Sequence, residues 1–365
     1  MNILLVSKFY FPVIGGVETT VKELCEQFVS KGHRCTAVVM SRDRVGEETV
    51  EGVKVVRFPV DTRLLGGFNR PIWHYLNKVL DRGQYDVAYL HNFHIVLSLE
   101  AAAFCNLHSL PFVFSPHYHG KGHTVFRDLA FRGYRSVGWF GLRGARTVIT
   151  GSWNERALLL KDFPGIEDKC VVIPPGIRDR PKLDIVRKEN TVLYVGRLMQ
   201  YKGLDHVIEA MKIMREQGLR VELRVVGSGP ERVRLEAQAN TLGLAEQVTW
   251  LGELSDDQVT EEYCSASCLV LLSSAEAYGL VVAEALLSGT PCVIADKEAL
   301  HEFLGEPGVF GVPFPPDPSE VARLLTQVLT HRSQVKVGPL SARITSWSNI
   351  ADRYLEVLER AAKAR

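Results

Sequence analysis

The sequence of 365 residues lacks several features that mark special protein classes. Its seven cysteines include no Cys-x-x-Cys pair, and Cys264 and Cys268, the closest two, have no His or Cys neighbours at metal-ligand spacing. The net charge is only +1, which gives no general reason to expect a nucleic acid partner. No apolar run reaches the roughly 18 residues that a membrane-spanning helix needs. These absences predict a globular protein without a membrane span and with no nucleic acid as its partner.

A secretory pattern is also lacking, because the first residues enter an apolar strand-like run directly. Most cysteines lie within apolar runs, where they pack as small hydrophobic side chains, and this usage favours a reducing compartment. We therefore expect a cytoplasmic protein.

Short β-branched apolar runs alternate with amphipathic segments along the whole chain, which predicts parallel sheets covered by helices on both faces. The strand candidates are Ile3–Ser7, Cys35–Met40, Val53–Phe58, Asp86–Leu90, Phe112–Ser115, Thr147–Thr150, Cys170–Ile173, Val192–Val195, Val221–Val226, Val248–Leu251, Leu269–Leu272 and Cys292–Ala295.

A segment rich in proline and charge, Pro174–Asn190, interrupts this alternation. We predict one Rossmann-like domain over residues 1–176, a linker over 177–190, a second Rossmann-like domain over 191–346 and a terminal helix over 347–365. The predicted fold class is α/β, with two doubly wound parallel-sheet domains that face each other across a cleft. Such sheets bind ligands outside the carboxyl ends of their strands, so candidate residues should lie in the loops that follow strands.

The first such loop contains Pro12-x-x-Gly15-Gly16-Val17-Glu18 and opens a helix. Adjacent glycines let the backbone approach a ligand closely, and a helix start offers free N–H groups to an anion. A tight strand-to-helix turn explains the glycines equally well. The motif is not Gly-x-Gly-x-x-Gly, so a dinucleotide cofactor and a dehydrogenase are disfavoured.

Two loops of the second half carry cations or glycines after a strand. Arg197 and Lys202 lie five residues apart just before a helix, and two cations there suit the two phosphates of a nucleotide. An ordinary charged loop is the alternative. The next strand is followed by Gly227-Ser228-Gly229-Pro230, which is either a nucleotide-lining loop or a simple turn.

A pair of glutamates, Glu276 and Glu284, brackets the start of another helix. Gly279 marks the entrance of this helix, where backbone N–H groups can meet phosphate oxygens. Glu284 has apolar neighbours and needs hydrogen-bonding partners, which either ribose hydroxyls or a basic core residue would supply.

Histidines follow a strand of the first half, in Ser115-Pro116-His117-Tyr118-His119-Gly120. A histidine in such a loop can bond hydroxyl groups or stabilise charge, and spacing does not choose between His117 and His119. The alternative is a loop histidine that packs on Tyr118. His91, at the end of the preceding strand, is a weaker candidate.

A basic and aromatic stretch comes next, with one acid, Asp128, among its cations. The composition suits an anionic membrane surface or a lipid-phosphate acceptor, or else a solvated helix face whose aromatic side chains pack inward. The cations are Lys121, Arg127, Arg132, Arg135, Arg143 and Arg146.

Three of these motifs in order, the paired glycines with Glu18, Gly-Arg-Leu with Lys202-Gly203, and Glu276-x7-Glu284, resemble the retaining glycosyltransferases of family 4, which have the GT-B fold. The resemblance covers nearly the whole chain. It implies an N-terminal acceptor-binding domain and a C-terminal domain that binds a nucleotide-sugar. Trp347 at the start of the last helix fits, because in GT-B enzymes this helix crosses back to the N-terminal domain.

The resemblance also implies a role for each candidate. Arg197 and Lys202 would hold the donor diphosphate and Glu284 its ribose, while Glu276 and His117 would lie near the reacting sugar. Tyr278 stands where the family usually has Phe. The remaining implied contacts to the nucleotide-sugar are Gly15, Gly16, Gly227, Leu251, Gly252, Tyr278, Gly279 and Leu280; weaker candidates for acceptor or membrane contact are His119, Lys121, Arg127 and Arg132.

The implied activity is retaining transfer of a sugar from a nucleotide diphosphate-sugar, GDP-mannose or a UDP-sugar, to a glycan, lipid-linked or other acceptor. We expect no metal or cofactor requirement, because no Asp-x-Asp or ligand cluster lies near the candidate residues. Peripheral contact with the inner face of an anionic membrane is also expected. A non-catalytic nucleotide-sugar-binding protein, a GT-B epimerase and a sugar-phosphate synthase remain alternatives, and the sequence does not indicate the oligomeric state.

Overall fold

The computed structural model describes residues 1–13, 15–60, 70–93, 95–118, 138–178, 183, 185–331, 335 and 337–363. The chain divides into two compact units. The first unit comprises Met1–Gly176 and Thr345–Arg365, and the second comprises Ile177–Ile344.

The first unit is built on an eight-stranded sheet with the order β3-β4-β2-β1-β5-β6-β7-β8. Its described pairings are parallel except for that of β3 with β4. The strands are β1 (Asn2–Val6), β2 (Arg34–Ser41), β3 (Gly46–Val50), β4 (Val53–Pro59), β5 (Val87–His91), β6 (Phe112–Ser115), β7 (Thr147–Thr150) and β8 (Cys170–Val172). The first four labelled helices are α1 (Gly16–Ser30), α2 (Arg70–Asp81), α3 (Val96–Leu107) and α4 (Trp153–Asp162).

Alternate residues of the central strand β1 enter two different cores. Leu4 and Val6 pack with residues of α2 and α3 on one face of the sheet. Ile3 and Leu5 pack with α1 on the other face. Because side chains alternate along a strand, a continuous apolar run such as this one is what a sheet covered on both faces requires.

The second unit contains a parallel six-stranded sheet with the order β11-β10-β9-β12-β13-β14. Its strands are β9 (Thr191–Val195), β10 (Glu222–Val226), β11 (Val248–Gly252), β12 (Cys268–Leu271), β13 (Cys292–Asp296) and β14 (Val309–Pro313). Its helices are α5 (Leu204–Glu216), α6 (Arg232–Thr241), α7 (Asp256–Ser265), α8 (Leu280–Leu287) and α9 (Pro318–Thr330). One apolar face of α5 is buried, from Leu204 to Met214.

The last helix, α10 (Trp347–Lys363), belongs to the first unit. Its buried residues Ile350, Tyr354 and Leu358 share a core with α1 and with the sheet. Lys31 in the first unit forms an ion pair with Asp352 of α10, with 2.8 Å between the charged atoms. The terminal helix is therefore held by apolar packing on one face and by a polar contact at its edge.

Described residues of the segment predicted as a linker make contacts within the second unit. Ile177 is buried in the core of this unit. Arg187 donates a 2.5 Å hydrogen bond to the carbonyl of Gly289, and the N–H of Lys188 donates one of 2.8 Å to the carbonyl of Ser265. These contacts attach the described part of the predicted linker to the second unit.

The predicted α/β class with two doubly wound parallel sheets is confirmed. Strand order reverses once in each sheet, between β1 and β5 in the first unit and between β9 and β12 in the second. Crevices at such reversals are the usual ligand sites of open α/β sheets. In the described residues, no helix combines the length and the apolar character that crossing a membrane requires.

A buried carboxylate, that of Glu155, joins two strand-end loops of the first unit at the start of α4. Its Oε1 accepts a hydrogen bond from the N–H of Tyr118, after β6, at 2.8 Å, and its Oε2 accepts one from Gly151, after β7, at 2.7 Å. Burial raises the pKa of Glu155 to about 7, against the opposing effect of backbone hydrogen bonds from Gly151, Tyr118 and His117. The carboxylate thereby holds the loop that contains His117.

This pKa predicts a dependence of stability on pH. Between about pH 4.5 and pH 7 the folded state keeps a proton on Glu155 that the unfolded state releases. The free energy of unfolding therefore falls as pH rises through this interval, by up to about 3 kcal/mol from this group. Glu155→Gln removes the titrating carboxyl group, so the free energy of unfolding, wild type minus variant, should decrease between about pH 5 and about pH 8.

Urea denaturation at the two pH values measures this difference. Glu356→Gln, at an exposed glutamate of α10, is the matched control and should leave the pH dependence unchanged. Parallel stability curves for wild type and Glu155→Gln would contradict the assignment.

Candidate active site

Backbone hydrogen bonds connect the loops that follow four neighbouring strands of the second unit. The N–H of Gly227, after β10, donates to the carbonyl of Gly252 at the end of β11, at 2.7 Å. The N–H of Leu198, after β9, donates to the carbonyl of Ser228 at 2.9 Å. The N–H of Ser274, after β12, donates to the carbonyl of Tyr201 at 2.8 Å. The predicted residues of these loops therefore share one edge of the sheet.

Lys202 and Glu276 form an ion pair at the reversal of strand order. The Nζ of Lys202, after β9, lies 2.5 Å from Oε1 of Glu276, after β12, and each side chain is 15% exposed. The ammonium group also lies 5.3 Å from the ring centroid of Tyr201. A cation and a carboxylate predicted separately from sequence are thus adjacent.

Arg197 adds a second cation to the same loop. Its side chain is exposed, and within the described parts of the chain its guanidinium forms no salt bridge. Its carbonyl accepts a 2.9 Å hydrogen bond from the hydroxyl of Tyr194. Burial raises the pKa of Tyr194 well above its usual value, and nearby Glu276 adds to the shift, so this phenol stays neutral and fixes the backbone at Arg197.

Two glycines allow the close approach of these loops. Gly203 has a φ of 72°, and a Cβ on it would lie 2.5 Å from the carbonyl oxygen of Leu272. Gly279 has a φ of 106°, and a Cβ there would lie 2.8 Å from the side chain of Leu300. Both positions combine the left-handed conformation with tight surroundings, which only glycine tolerates easily. Gly279 caps the start of α8 and its carbonyl accepts hydrogen bonds from the N–H groups of Val282 and Ala283, whereas those of Leu280 and Val281 have no acceptor within the helix.

Tyr278 precedes α8 and Glu284 lies within it, and the side chain of each is hydrogen-bonded to another residue of the second unit. Tyr278 is buried with its ring centroid 5.2 Å from that of Phe303, and its hydroxyl donates to the carbonyl of Arg343 at 3.4 Å. Only its backbone can therefore serve a ligand. On α8, Oε2 of Glu284 accepts a 2.8 Å hydrogen bond from the hydroxyl of the buried Tyr263. Sequence reasoning missed Tyr263, because nothing in the pattern of α7 distinguishes it from a core aromatic residue.

The remaining predicted residues of the second unit, Gly227, Leu251 and Gly252, lie at the ends of β10 and β11. A Cβ on Gly227 would collide with the carbonyl of Gly196, which explains a glycine there on steric grounds. Leu251 and Gly252 end β11, where a register shift opposes Val226 to Gly252. Leu251 is partly buried against the core.

In the first unit, Gly15 and Gly16 lie where α1 begins. A Cβ on Gly15 would collide with the carboxylate of Glu18, whereas one on Gly16 would meet no atom within 4 Å. This carboxylate ends a flexible side chain that can move aside, so steric packing requires neither glycine, and the space beside Gly16 is open to an approaching ligand.

His117 follows β6 with a positive φ of 47°. Its Nε2 lies 2.9 Å from Nδ1 of His91, which ends β5. Burial, together with His117, holds the pKa of His91 well below its usual value, so His91 is neutral. His117, the stronger candidate from sequence, is thus hydrogen-bonded to His91, the weaker one.

The candidates His119, Lys121, Arg127 and Arg132 lie outside the described residues. Among the described residues no group of three or more His, Cys, Asp or Glu side chains is arranged to hold a metal ion. The absence of a metal requirement stays a prediction from sequence.

Comparison with known families gives two matches that lie side by side along the chain. The model of Glycosyltransferase Family 4 matches residues 14–180, and that of Glycosyl transferases group 1 matches residues 177–343.

Two curated relatives match nearly the whole chain. An uncharacterized glycosyltransferase of Methanocaldococcus jannaschii is 27% identical over 90% of this chain and 89% of its own. The phosphatidyl-myo-inositol mannosyltransferase of Mycobacterium tuberculosis is 25% identical over 99% of this chain and 97% of its own.

Solved structures share the fold. Sucrose-phosphate synthase from Thermosynechococcus elongatus superposes with a TM-score of 0.76 at 21% identity, with both chains covered in full. HepE from Anabaena, solved in complex with UDP, superposes with a TM-score of 0.72 at 18% identity over 100% of this chain and 99% of its own. With the two family matches and the two doubly wound units, this chain belongs to the family 4 glycosyltransferases and is a glycosyltransferase of the GT-B fold.

Proposed function

We propose that this enzyme transfers a sugar from a nucleotide diphosphate-sugar with retention of configuration, and that Lys202 and Arg197 bind the donor diphosphate. The observation that carries the proposal is the ion pair of Lys202 with Glu276 at the reversal of strand order. A diphosphate can take over Lys202 as its partner, because it carries more charge than one carboxylate. HepE, which shares the fold, was solved in complex with UDP, and this is in keeping with a nucleotide ligand.

The chemical demand of the reaction fits these groups. As the bond between the anomeric carbon and the phosphate oxygen breaks, negative charge develops on the leaving diphosphate. Lys202, Arg197 and the N–H groups at the start of α8 stabilise that charge. The acceptor hydroxyl attacks from the same face and gives its proton to the departing phosphate oxygen, which retains the configuration. The positive charge that develops at the anomeric carbon is similar to that in glycoside hydrolysis.

Glu276 and Glu284 have separate tasks in this proposal. Glu276, released from Lys202, faces the sugar, whose hydroxyls replace the ammonium group as hydrogen-bond donors. Glu284 accepts hydrogen bonds from the ribose, with its carboxylate oriented by the hydroxyl of Tyr263. The nucleotide base lies by Leu251 and Gly252, and Gly227 lines the same groove. Either GDP-mannose or a UDP-sugar satisfies these contacts.

His117 acts on the sugar rather than on the nucleotide. Its imidazole bonds sugar hydroxyls or stabilises the developing charge. Gly16, with open space where a Cβ would lie, lets the backbone at the start of α1 approach an anionic group.

The acceptor proposed is a lipid-linked or other membrane-associated molecule. Phe140 is 69% exposed, and the guanidinium of Arg143 lies 4.5 Å from the ring centroid of Trp139. Burial and the neighbouring Arg146 and Arg143 lower the pKa of Lys169, which indicates a concentration of positive charge. Exposed aromatic and cationic side chains suit an anionic lipid surface. The name of the mycobacterial relative, a phosphatidyl-myo-inositol mannosyltransferase, is in keeping with such an acceptor.

Substitutions separate donor binding from turnover. We expect Lys202→Ala and Arg197→Ala each to lower kcat by about 100-fold or more, because a cation on the leaving group is lost. The same variants should weaken the affinity for the nucleoside diphosphate about tenfold. His117→Ala should lower kcat without changing that affinity. Hydrolysis of UDP-glucose or GDP-mannose gives kcat, and calorimetry with UDP or GDP gives the affinity.

Lys212→Ala, at an exposed lysine of α5, is the control and should behave like wild type. Equal losses of nucleotide affinity in the Lys202, Arg197 and His117 variants would show that His117 has been given the wrong role.

Membrane contact has its own test. The protein should sediment with phosphatidylcholine vesicles that contain phosphatidylserine, less so at high salt, because the attraction is electrostatic. The double variant Arg143→Glu/Arg146→Glu should lose this binding. Arg220→Glu, at an exposed arginine of the second unit, should retain it. Absence of wild-type binding at low salt would argue against a membrane-associated acceptor.

A further inference from the structure

His91 is completely buried where β5 ends, beside the reversal of strand order in the first unit. Its ring lies nearly coplanar with that of His117 and meets it edge to edge, with centroids 5.0 Å apart and an interplanar angle of 26°. On its other side the ring of Tyr89 packs edge-on, with a centroid distance of 4.4 Å. The hydroxyl of Tyr89 is 2.8 Å from that of Ser115, and this hydrogen bond holds the ring of Tyr89 in place against His91.

Packing alone does not explain a histidine at this position. Its Nε2 is buried and has no hydrogen-bond partner among the described residues. Burying an unpaired polar nitrogen opposes folding, and a phenyl ring of similar shape would avoid that cost. What the imidazole supplies and a phenyl ring cannot is Nδ1, which is 2.9 Å from Nε2 of His117.

The hydrogen bond between the two rings occupies Nε2 of His117 with a partner inside the protein. A neutral imidazole has one protonated and one unprotonated nitrogen, so whichever ring donates, the tautomer of one ring determines the role of the nitrogen facing it in the other. The backbone of His117 is held separately, by Glu155 and by a hydrogen bond of 2.7 Å from the N–H of Phe93 to the carbonyl of Pro116. The hydrogen bond to His91 acts on the side chain itself and constrains the orientation of its ring.

We propose that His91 is a positioning residue, whose Nδ1 fixes the ring orientation and tautomer of His117 for turnover. The inference rests on the proposed role of His117 and adds to it a residue that does not contact substrate. Groups that orient a functional histidine through its second nitrogen are known to matter at about the tenfold to hundredfold level in metal sites.

Two substitutions distinguish orientation from packing. His91→Phe keeps an aromatic ring and removes Nδ1, whereas His91→Asn loses the ring and retains a polar atom near the position of Nδ1. We expect His91→Phe to lower kcat about tenfold or more, with an unchanged KM for the donor and a Tm that is not lowered. His91→Asn should keep most of the wild-type kcat even if its Tm falls. Donor hydrolysis with UDP-glucose or GDP-mannose is the assay.

Two further variants complete the experiment. Cys105→Ala, at a buried free cysteine of α3 that has no part in the proposal, should leave kcat unchanged. In the His117→Ala background, His91→Phe should cause no further loss, because the two residues act as one unit.

The outcomes are distinct. A fully active His91→Phe, in a protein that His117→Ala impairs, would overturn the inference about His91 alone. Additive losses in the double variant, or equal losses in His91→Asn and His91→Phe, would also overturn it. Wild-type turnover of His117→Ala would instead overturn the proposed role of His117.

Discussion

The ion pair of Lys202 and Glu276 is the interaction on which the proposed site depends. Both side chains are mostly buried, so each would be costly without the other. The pair also connects the loop after β9 to the loop after β12, across the only reversal of strand order in the described sheet of the second unit. One contact thereby joins the cation that we propose for the diphosphate and the carboxylate that we propose for the sugar.

The backbone makes this contact possible. Gly203 lets its loop approach the carbonyl of Leu272, and Gly279 turns the chain into α8 so that the first N–H groups of the helix point to the same edge. In the first unit, buried polar groups perform the corresponding task. Glu155 holds the loop after β6, and His91 holds the side chain that the loop presents. Each unit thus fixes its candidate residues from strand ends that lie in a rigid sheet.

Much of the fold was predictable because parallel strands have continuous apolar runs. β3 was not predicted, since Gly46–Val50 is an exposed antiparallel edge without an apolar face. The two residues between Val50 and Val53, Glu51 and Gly52, both have positive φ, as a tight hairpin requires, and in the sequence only Gly52 signalled this turn. β14 also escaped notice, because glycine and proline interrupt its sequence.

The candidate residues were recognisable by type and by position after strands, whereas their partners were not. Lys202 and Glu276 are 74 positions apart, and only the strand order brings them together. Glu155 has the spacing of a helix-capping residue after Ser152, yet its carboxylate bonds a loop from a different strand. Long-range hydrogen bonds of this kind depend on the register between strands, which local patterns do not encode.

The most direct measurement is a crystal structure with the nucleoside diphosphate that binds best. We expect Lys202 to leave Glu276 and to contact the phosphates together with Arg197, and we expect the ribose hydroxyls to donate hydrogen bonds to Glu284. A bound nucleotide that leaves the pair of Lys202 and Glu276 intact, with its phosphates elsewhere, would contradict the proposal.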